Sequence, residues 1–150
     1  MEVKEPLNFK GADMNIKHLD WNNYHEYIGK LADKIKADNS SDQYRYIVGV
    51  DPDDMVLAVH LSHILKLRVI TDINMFSVLL NFNEDYRQVL VVSNVVETGN
   101  SFNEIMAQYK IIFNTAVIFK DKKSNFKPTY YVEIPQDRIY FPWESCGLDI

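Results

Sequence analysis

Apolar and polar positions alternate along this chain in two rhythms, short apolar runs and longer stripes with apolar residues three and four apart. The run Val89–Val92 passes into Ser93 and Asn94, then two more valines, then Glu97-Thr98-Gly99-Asn100-Ser101. A stripe follows with Phe102, Ile105, Met106 and Tyr109 on one face. This pattern predicts a buried strand, a tight turn and an amphipathic helix from Ser101 to about Lys110. Upstream, Asp20 precedes Trp21, Tyr24, Ile28, Leu31 and Ile35, the stripe of a helix capped by Asp20 and ended by the polar run Asp38–Asp42. Tyr44–Val50 is rich in β-branched and aromatic residues and reads as a short buried strand. Asp51-Pro52-Asp53-Asp54 then introduces a helix over Met55–Leu67. There Asp51 suits the N-cap, Pro52 the first helical position, and Asp53 and Asp54 the helix dipole. Further strands are expected at Leu67–Thr71, Phe76–Phe82, Ile111–Phe119 and Tyr130–Ile134, with a polar turn at Asn83-Glu84-Asp85. Met1–Met14, with Pro6 and Gly11, keeps no steady period and reads as a loose or docked arm.

Strands alternating with helices at this spacing predict βαβ units. The fold class is therefore α/β, three layers around a mostly parallel, Rossmann-like sheet. At 150 residues the chain is most simply one domain, 1–150, with no internal repeat and no low-complexity segment. Ligands in such sheets bind beyond the carboxyl ends of the strands. Two strand-to-helix turns answer that description, Asp51–Asp54 and Glu97–Ser101.

Composition narrows the function classes. Hydrophobic residues make up 47% of the chain, which fits a packed globule rather than a disordered one. The net charge is −5 and basic residues cluster only within Lys120–Lys127, so a nucleic-acid partner bound through a broad basic face is not expected. No apolar run approaches the ~18 residues of a membrane span, and Met1–Glu5 lacks a signal-peptide core. A single cysteine, Cys146, excludes an intrachain disulfide and suits a reducing compartment, so a cytoplasmic protein is expected.

Candidate chemistry concentrates at the two turns. At Glu97–Ser101 a strand end, Gly99 and a helix N-terminus offer free N–H groups and a dipole to an anion, and the Thr98 and Ser101 hydroxyls add donors. The bland alternative is an ordinary turn with Ser/Thr/Asn caps. Asp51, Asp53 and Asp54 resemble the start of a calcium loop, but the glycine and remaining ligands are missing and capping explains every residue. His60 and His63, three apart, lack a third ligand, and no metal site is assigned. Lys120, Lys122, Lys123 and Lys127 form either a small anion patch or a solvated loop. Trp143 and Glu144 suit a pocket wall or a packing anchor. Cys146 has no candidate base nearby in sequence and receives no nucleophilic role.

From His18 onward the chain resembles the purine phosphoribosyltransferases of the xanthine/hypoxanthine–guanine type. The resemblance is carried by the helix Trp21–Ile35, the strand–loop–helix Tyr46–Leu67, the loop Val89–Ser101, and the closing strings Tyr130–Asp137 and Phe141–Glu144. It implies a type I phosphoribosyltransferase fold. The implied reaction transfers a purine base onto phosphoribosyl pyrophosphate with magnesium and releases pyrophosphate. Carried over residue by residue, it implies Glu97 as the catalytic base near the purine, with Thr98, Gly99, Asn100 and Ser101 on the 5-phosphate. Ser93 and Asn94 would face the ribose, and Lys120 or Lys122, with Arg138 and Ile139, would lie at the base. Family members often pair through helices flanking the site, which implies a homodimer.

Three departures bear on activity. Ser93 and Asn94 stand where the family has two carboxylates that hold the ribose diol and, through it, magnesium; a hydroxyl and an amide bring no charge to a hard cation. Asp51, Pro52, Asp53 and Asp54 replace a glycine-bearing loop that grips pyrophosphate. Proline removes a donor, and each carboxylate within ~4 Å of a phosphate costs roughly 4 kcal/mol before screening at an effective dielectric of ~20. Only Asp72–Gln88 is available where the family often has a long mobile cover. The expectation is a phosphoribosyltransferase-like protein that keeps a phosphate seat for a purine nucleotide or similar small ligand, with these departures set against transfer; the alternative is an active purine phosphoribosyltransferase that transfers a purine base to phosphoribosyl pyrophosphate. Magnesium is expected as a cofactor only for an active enzyme, and otherwise none.

Overall fold

The computed structural model describes residues 16–75 and 86–144. The expected arm at Met1–Met14, the strand at Phe76–Phe82 with the turn after it, and Cys146 lie outside the described residues.

Helix α1 (Trp21–Lys36) begins where expected. Asp20 accepts a hydrogen bond from Asn23 N at 2.7 Å, and the Asn23 side chain accepts from Asp20 N at 3.3 Å. Its buried stripe is Tyr24, Tyr27, Ile28, Leu31, Ala32 and Ile35. Strand β2 (Tyr46–Gly49) leads into α2 (Pro52–Leu65), whose first turn includes Pro52, Asp53 and Asp54. The helix starts earlier than its apolar residues suggest because the acids cap it, and it ends when Lys66 turns left-handed at φ 59°. Strand β3 (Arg68–Ile70) follows, then β4 (Val89–Val96), α3 (Asn100–Tyr109), β5 (Asn114–Lys120) and β6 (Tyr130–Glu133).

These five strands form one parallel sheet in the order β3-β2-β4-β5-β6. On one face, α1 and α2 cover a core that includes Tyr24, Leu31, Leu57, Leu61, Leu90, Val92 and Ile118. On the other, Phe102 of α3 packs with Val89, Val91, Phe113 and Val117. The result is the expected three-layer α/β architecture, and burial on both faces explains why the strands read as continuous apolar runs.

Strand β4 runs four residues beyond its apolar run, through Ser93, Asn94 and Val95 to Val96. Asn94 does not stop it, because it shares a face with Leu90 and Val92, and its polar atoms find partners in the layer of α1 and α2.

A second, two-stranded parallel sheet joins β1 (Ile16–His18) to β7 (Arg138–Tyr140), with Ile16 opposite Arg138 and His18 opposite Tyr140. Three-residue strands carry too little alternation to show in the sequence. This clasp matters for the site, because it lays residues 141–144 against the start of α1.

The chain leaves β2 toward β3 on one side, while β4 lies on β2's other side. That reversal opens a crevice at the carboxyl ends of β2 and β4. Gly49 brings its floor close: a Cβ there would lie 2.6 Å from the Asp54 carbonyl carbon and 2.8 Å from Met55 N. Only a glycine lets α2 fold back so tightly onto the end of β2.

Candidate functional site

A cleft of about 310 Å³ occupies this crevice, and both sequence-predicted turns line it. Its walls include Asp51, Asp53, Asp54, Ser93 and Asn94 on one side, and residues 97–102 on the other. Phe141, Trp143 and Glu144 close the rim.

The 97–101 turn is shaped by Gly99, which adopts a left-handed φ of 84° and caps α3. Asn103 N donates to Gly99 O at 2.9 Å, starting the helix, and the Thr98 hydroxyl accepts from Asn100 N at 3.1 Å. The next N–H groups of the first turn have no acceptor within the helix, and the dipole adds partial positive charge there. A phosphate oxygen is the natural complement of that geometry.

The opposite wall is built differently. Asp54 is buried, with one oxygen accepting from Asp51 N at 3.1 Å. Its other oxygen accepts from Asn94 N at 2.8 Å and from the Asn94 side-chain amide at 3.2 Å. The same amide reaches Asp53 O at 3.1 Å, and the Asn94 carbonyl accepts from the Tyr24 hydroxyl at 2.6 Å. Burial pushes the Asp54 carboxyl up to about 6, against the pull of backbone hydrogen bonds from Asn94 and Asp51. Burial, with the charges of Asp54 and Asp53 behind it, also holds the Tyr24 hydroxyl well above its usual range. Ser93 Oγ donates to Val95 O at 3.1 Å.

At the rim, the rings of Phe141 and Trp143 lie nearly parallel with centroids 5.1 Å apart, and both meet Tyr24 edge-on. Glu144 accepts from Phe141 N at 2.8 Å. Trp143 and Glu144 are thus both packing anchor and cleft wall.

The structure brings together Glu97, Thr98, Gly99, Asn100, Ser101, Ser93, Asn94, Asp51, Asp53 and Asp54, while Pro52 is not part of the lining. It does not bring Lys120, Lys122, Arg138 or Ile139 to the cleft lining. Lys120 Nζ donates to Ser124 O at 3.0 Å, and Lys122 is exposed on the following turn. Arg138 stacks over the Tyr140 ring at 5.2 Å, and Ile139 packs against the main core. Among the described residues, the lining contains five carboxylates and no lysine, arginine or histidine. No group of three His, Cys, Asp or Glu among them could hold a metal ion. The residues present do not fit magnesium held in the family's manner: an amide stands at position 94 and is already bonded.

Sequence reasoning missed Tyr24, Phe102 and Phe141. Tyr24 reads as one more apolar position of the α1 stripe, and only the fold places its hydroxyl on Asn94, seventy positions away.

No family model matches the chain. Its fold, however, is that of the type I purine phosphoribosyltransferases. A xanthine-guanine-hypoxanthine phosphoribosyltransferase from Helicobacter pylori is similar at a TM-score of 0.68 and 18% identity, over 87% of this chain and 94% of that one. A purine phosphoribosyltransferase from Pyrococcus horikoshii is similar at 0.66 and 22% identity, over 87% and 95%. A hypothetical protein from Neisseria gonorrhoeae with bound ppGpp is similar at 0.69 and 16% identity, over 91% and 93%. At these identities the shared property is the fold.

Proposed function

We propose that this protein binds a phosphate-bearing, purine-nucleotide-type ligand in the cleft and has lost efficient phosphoribosyl transfer. Residues 98–101 hold the phosphate, with Glu97 beside them and Ser93 toward the sugar.

The observation that carries this reading is the state of Asn94. The resemblance implies carboxylates at positions 93 and 94 that organise the sugar and, through it, the metal. Here the side chain joins α1, α2 and β4 instead, with Tyr24, Asp53 and Asp54 as its partners. The neighbouring carboxylates, Asp51 and Asp53, face a polyanion with repulsion. A single phosphate at α3 avoids most of that cost. The aromatic rim of Phe141 and Trp143 offers a flat apolar wall to a base.

The test is a transfer assay with phosphoribosyl pyrophosphate, magnesium, and hypoxanthine, guanine or xanthine in turn. No pyrophosphate release above background is expected. Turnover at rates ordinary for enzymes, about 1 s⁻¹ or faster, would overturn the reading in favour of an active purine phosphoribosyltransferase.

A further inference from the structure

Gly99 has a neighbour that no strand–turn–helix pattern reveals. A Cβ at Gly99 would lie 2.6 Å from Cγ and 2.8 Å from Cδ1 of Phe126. The Phe126 ring therefore occupies the space where any other residue would carry its side chain. It also stacks on Phe102, in the first turn of α3, with centroids 4.9 Å apart and planes 12° from parallel.

Phe126 is held from behind. Asp121 N donates to Val96 O at 2.9 Å, which ties the segment after β5 to the end of β4. Ser124 N donates to Asp121 O at 2.9 Å, and Phe126 N donates to the hydroxyl of the buried Ser124 at 3.1 Å. Lys120 Nζ fixes Ser124 O at 3.0 Å. Residues 120–126 thus form a rib from the sheet to the face of Gly99. This also gives Lys120 a role away from any base: it braces that rib.

We propose that Phe126 is the positioning residue of the anion seat: its ring, filling the open face of Gly99 and stacked on Phe102, holds the turn with its N–H groups directed at the ligand. A free glycine at this φ has more conformations to lose than any other residue. A wall that removes those conformations beforehand spares the ligand that cost. Phe126 is not among the residues lining the cleft, so it acts through Gly99 and Phe102 rather than by touch. The inference rests on the reading that a phosphate occupies residues 98–101.

The test compares wild type, Phe126→Ala, Phe126→Leu and Phe126→Tyr by amide hydrogen exchange at Asn100 and Asn103 and by calorimetry with ribose 5-phosphate. Phe126→Tyr keeps the flat ring; Phe126→Leu keeps apolar volume without it and covers the case in which Phe126→Ala fails to fold. Exchange at Asn100, whose N–H is bonded to Thr98 Oγ1, and at Asn103, whose N–H is bonded to Gly99 O, should rise at least tenfold in the alanine and leucine variants. Ribose 5-phosphate affinity should fall at least tenfold in both, while Phe126→Tyr stays within about twofold of wild type. Unchanged exchange and affinity in the leucine variant, with wild type binding, would overturn this inference alone. Failure of wild type to bind ribose 5-phosphate would overturn the phosphate reading and this inference together.

Discussion

Asn94 donates twice to a single oxygen of Asp54, from its backbone N–H at 2.8 Å and from its side-chain amide at 3.2 Å, across forty positions of sequence. The pair binds the first turn of α2 to the middle strand of the sheet, and Tyr24 locks it from α1. Two positions of the catalytic apparatus implied by the resemblance are thereby used as structure. A buried amide–carboxylate pair of this kind satisfies every group it buries, and a change to one partner strands the other.

The first consequence is a pH dependence of stability. The Asp54 carboxyl, buried in the native state, titrates near 6, above the ordinary 3.8 of the unfolded chain. Between those values the native state holds a proton that the unfolded state has released, so stability from this group falls as pH rises from about 4 to about 6 and is level above. A shift of this size corresponds to on the order of 3 kcal/mol. Urea unfolding across that range should show this loss in wild type and a flatter profile in Asp54→Asn.

Asn94→Asp, the change that would restore an acid there, should destabilise the fold at pH 7. It replaces two donors to Asp54 and Asp53 by a second buried carboxylate. The expected cost is on the order of 3 kcal/mol, shrinking below pH 6 as one proton is shared by the pair. Adding Asp54→Gly removes the repulsion. The quadruple change Asp53→Gly, Asp54→Gly, Ser93→Asp and Asn94→Asp should therefore gain magnesium-dependent affinity for phosphoribosyl pyrophosphate, measurable by calorimetry; no gain would place the loss elsewhere.

Much of this arrangement was legible in the residues, and the reasons are local. Asp20 caps α1 because its side chain needs only residues three positions on, and the Val89–Val92 run identifies the central strand because a sheet buried on both faces needs no alternation. The 97–101 turn is readable because Gly99 and the α3 stripe are contiguous. What sequence reasoning could not reach is long-range. Tyr24 on Asn94, Phe126 on Gly99, and the pairing of β1 with β7 depend on segments separated by tens of residues. Lys120, Lys122 and Arg138 are placed at the base only by resemblance, and the fold puts those side chains outside the cleft lining.

Gly99→Ala should be damaging twice over. It places a Cβ against the Phe126 ring and forces an alanine to φ 84°. A loss of roughly 2–4 kcal/mol is expected from strain and overpacking together, read by urea unfolding, along with loss of phosphate binding.

Trp143 should report ligand entry. The chain has two tryptophans, and only Trp143 lines the cleft. Trp21 packs on Trp143 with ring centroids 6.1 Å apart, so titration with a purine nucleotide should change the emission of wild type and of Trp21→Phe strongly and that of Trp143→Phe much less. Equal responses in wild type and Trp143→Phe would move the ligand away from the 141–144 rim.

The central claim, a kept phosphate seat beside a lost transfer site, is met most directly by one calorimetric comparison. Guanosine or inosine monophosphate is titrated alone, and phosphoribosyl pyrophosphate is titrated with magnesium. The account predicts measurable binding of a monophosphate and weaker binding of the magnesium–phosphoribosyl pyrophosphate pair. Tight binding of phosphoribosyl pyrophosphate that disappears when magnesium is chelated would contradict it.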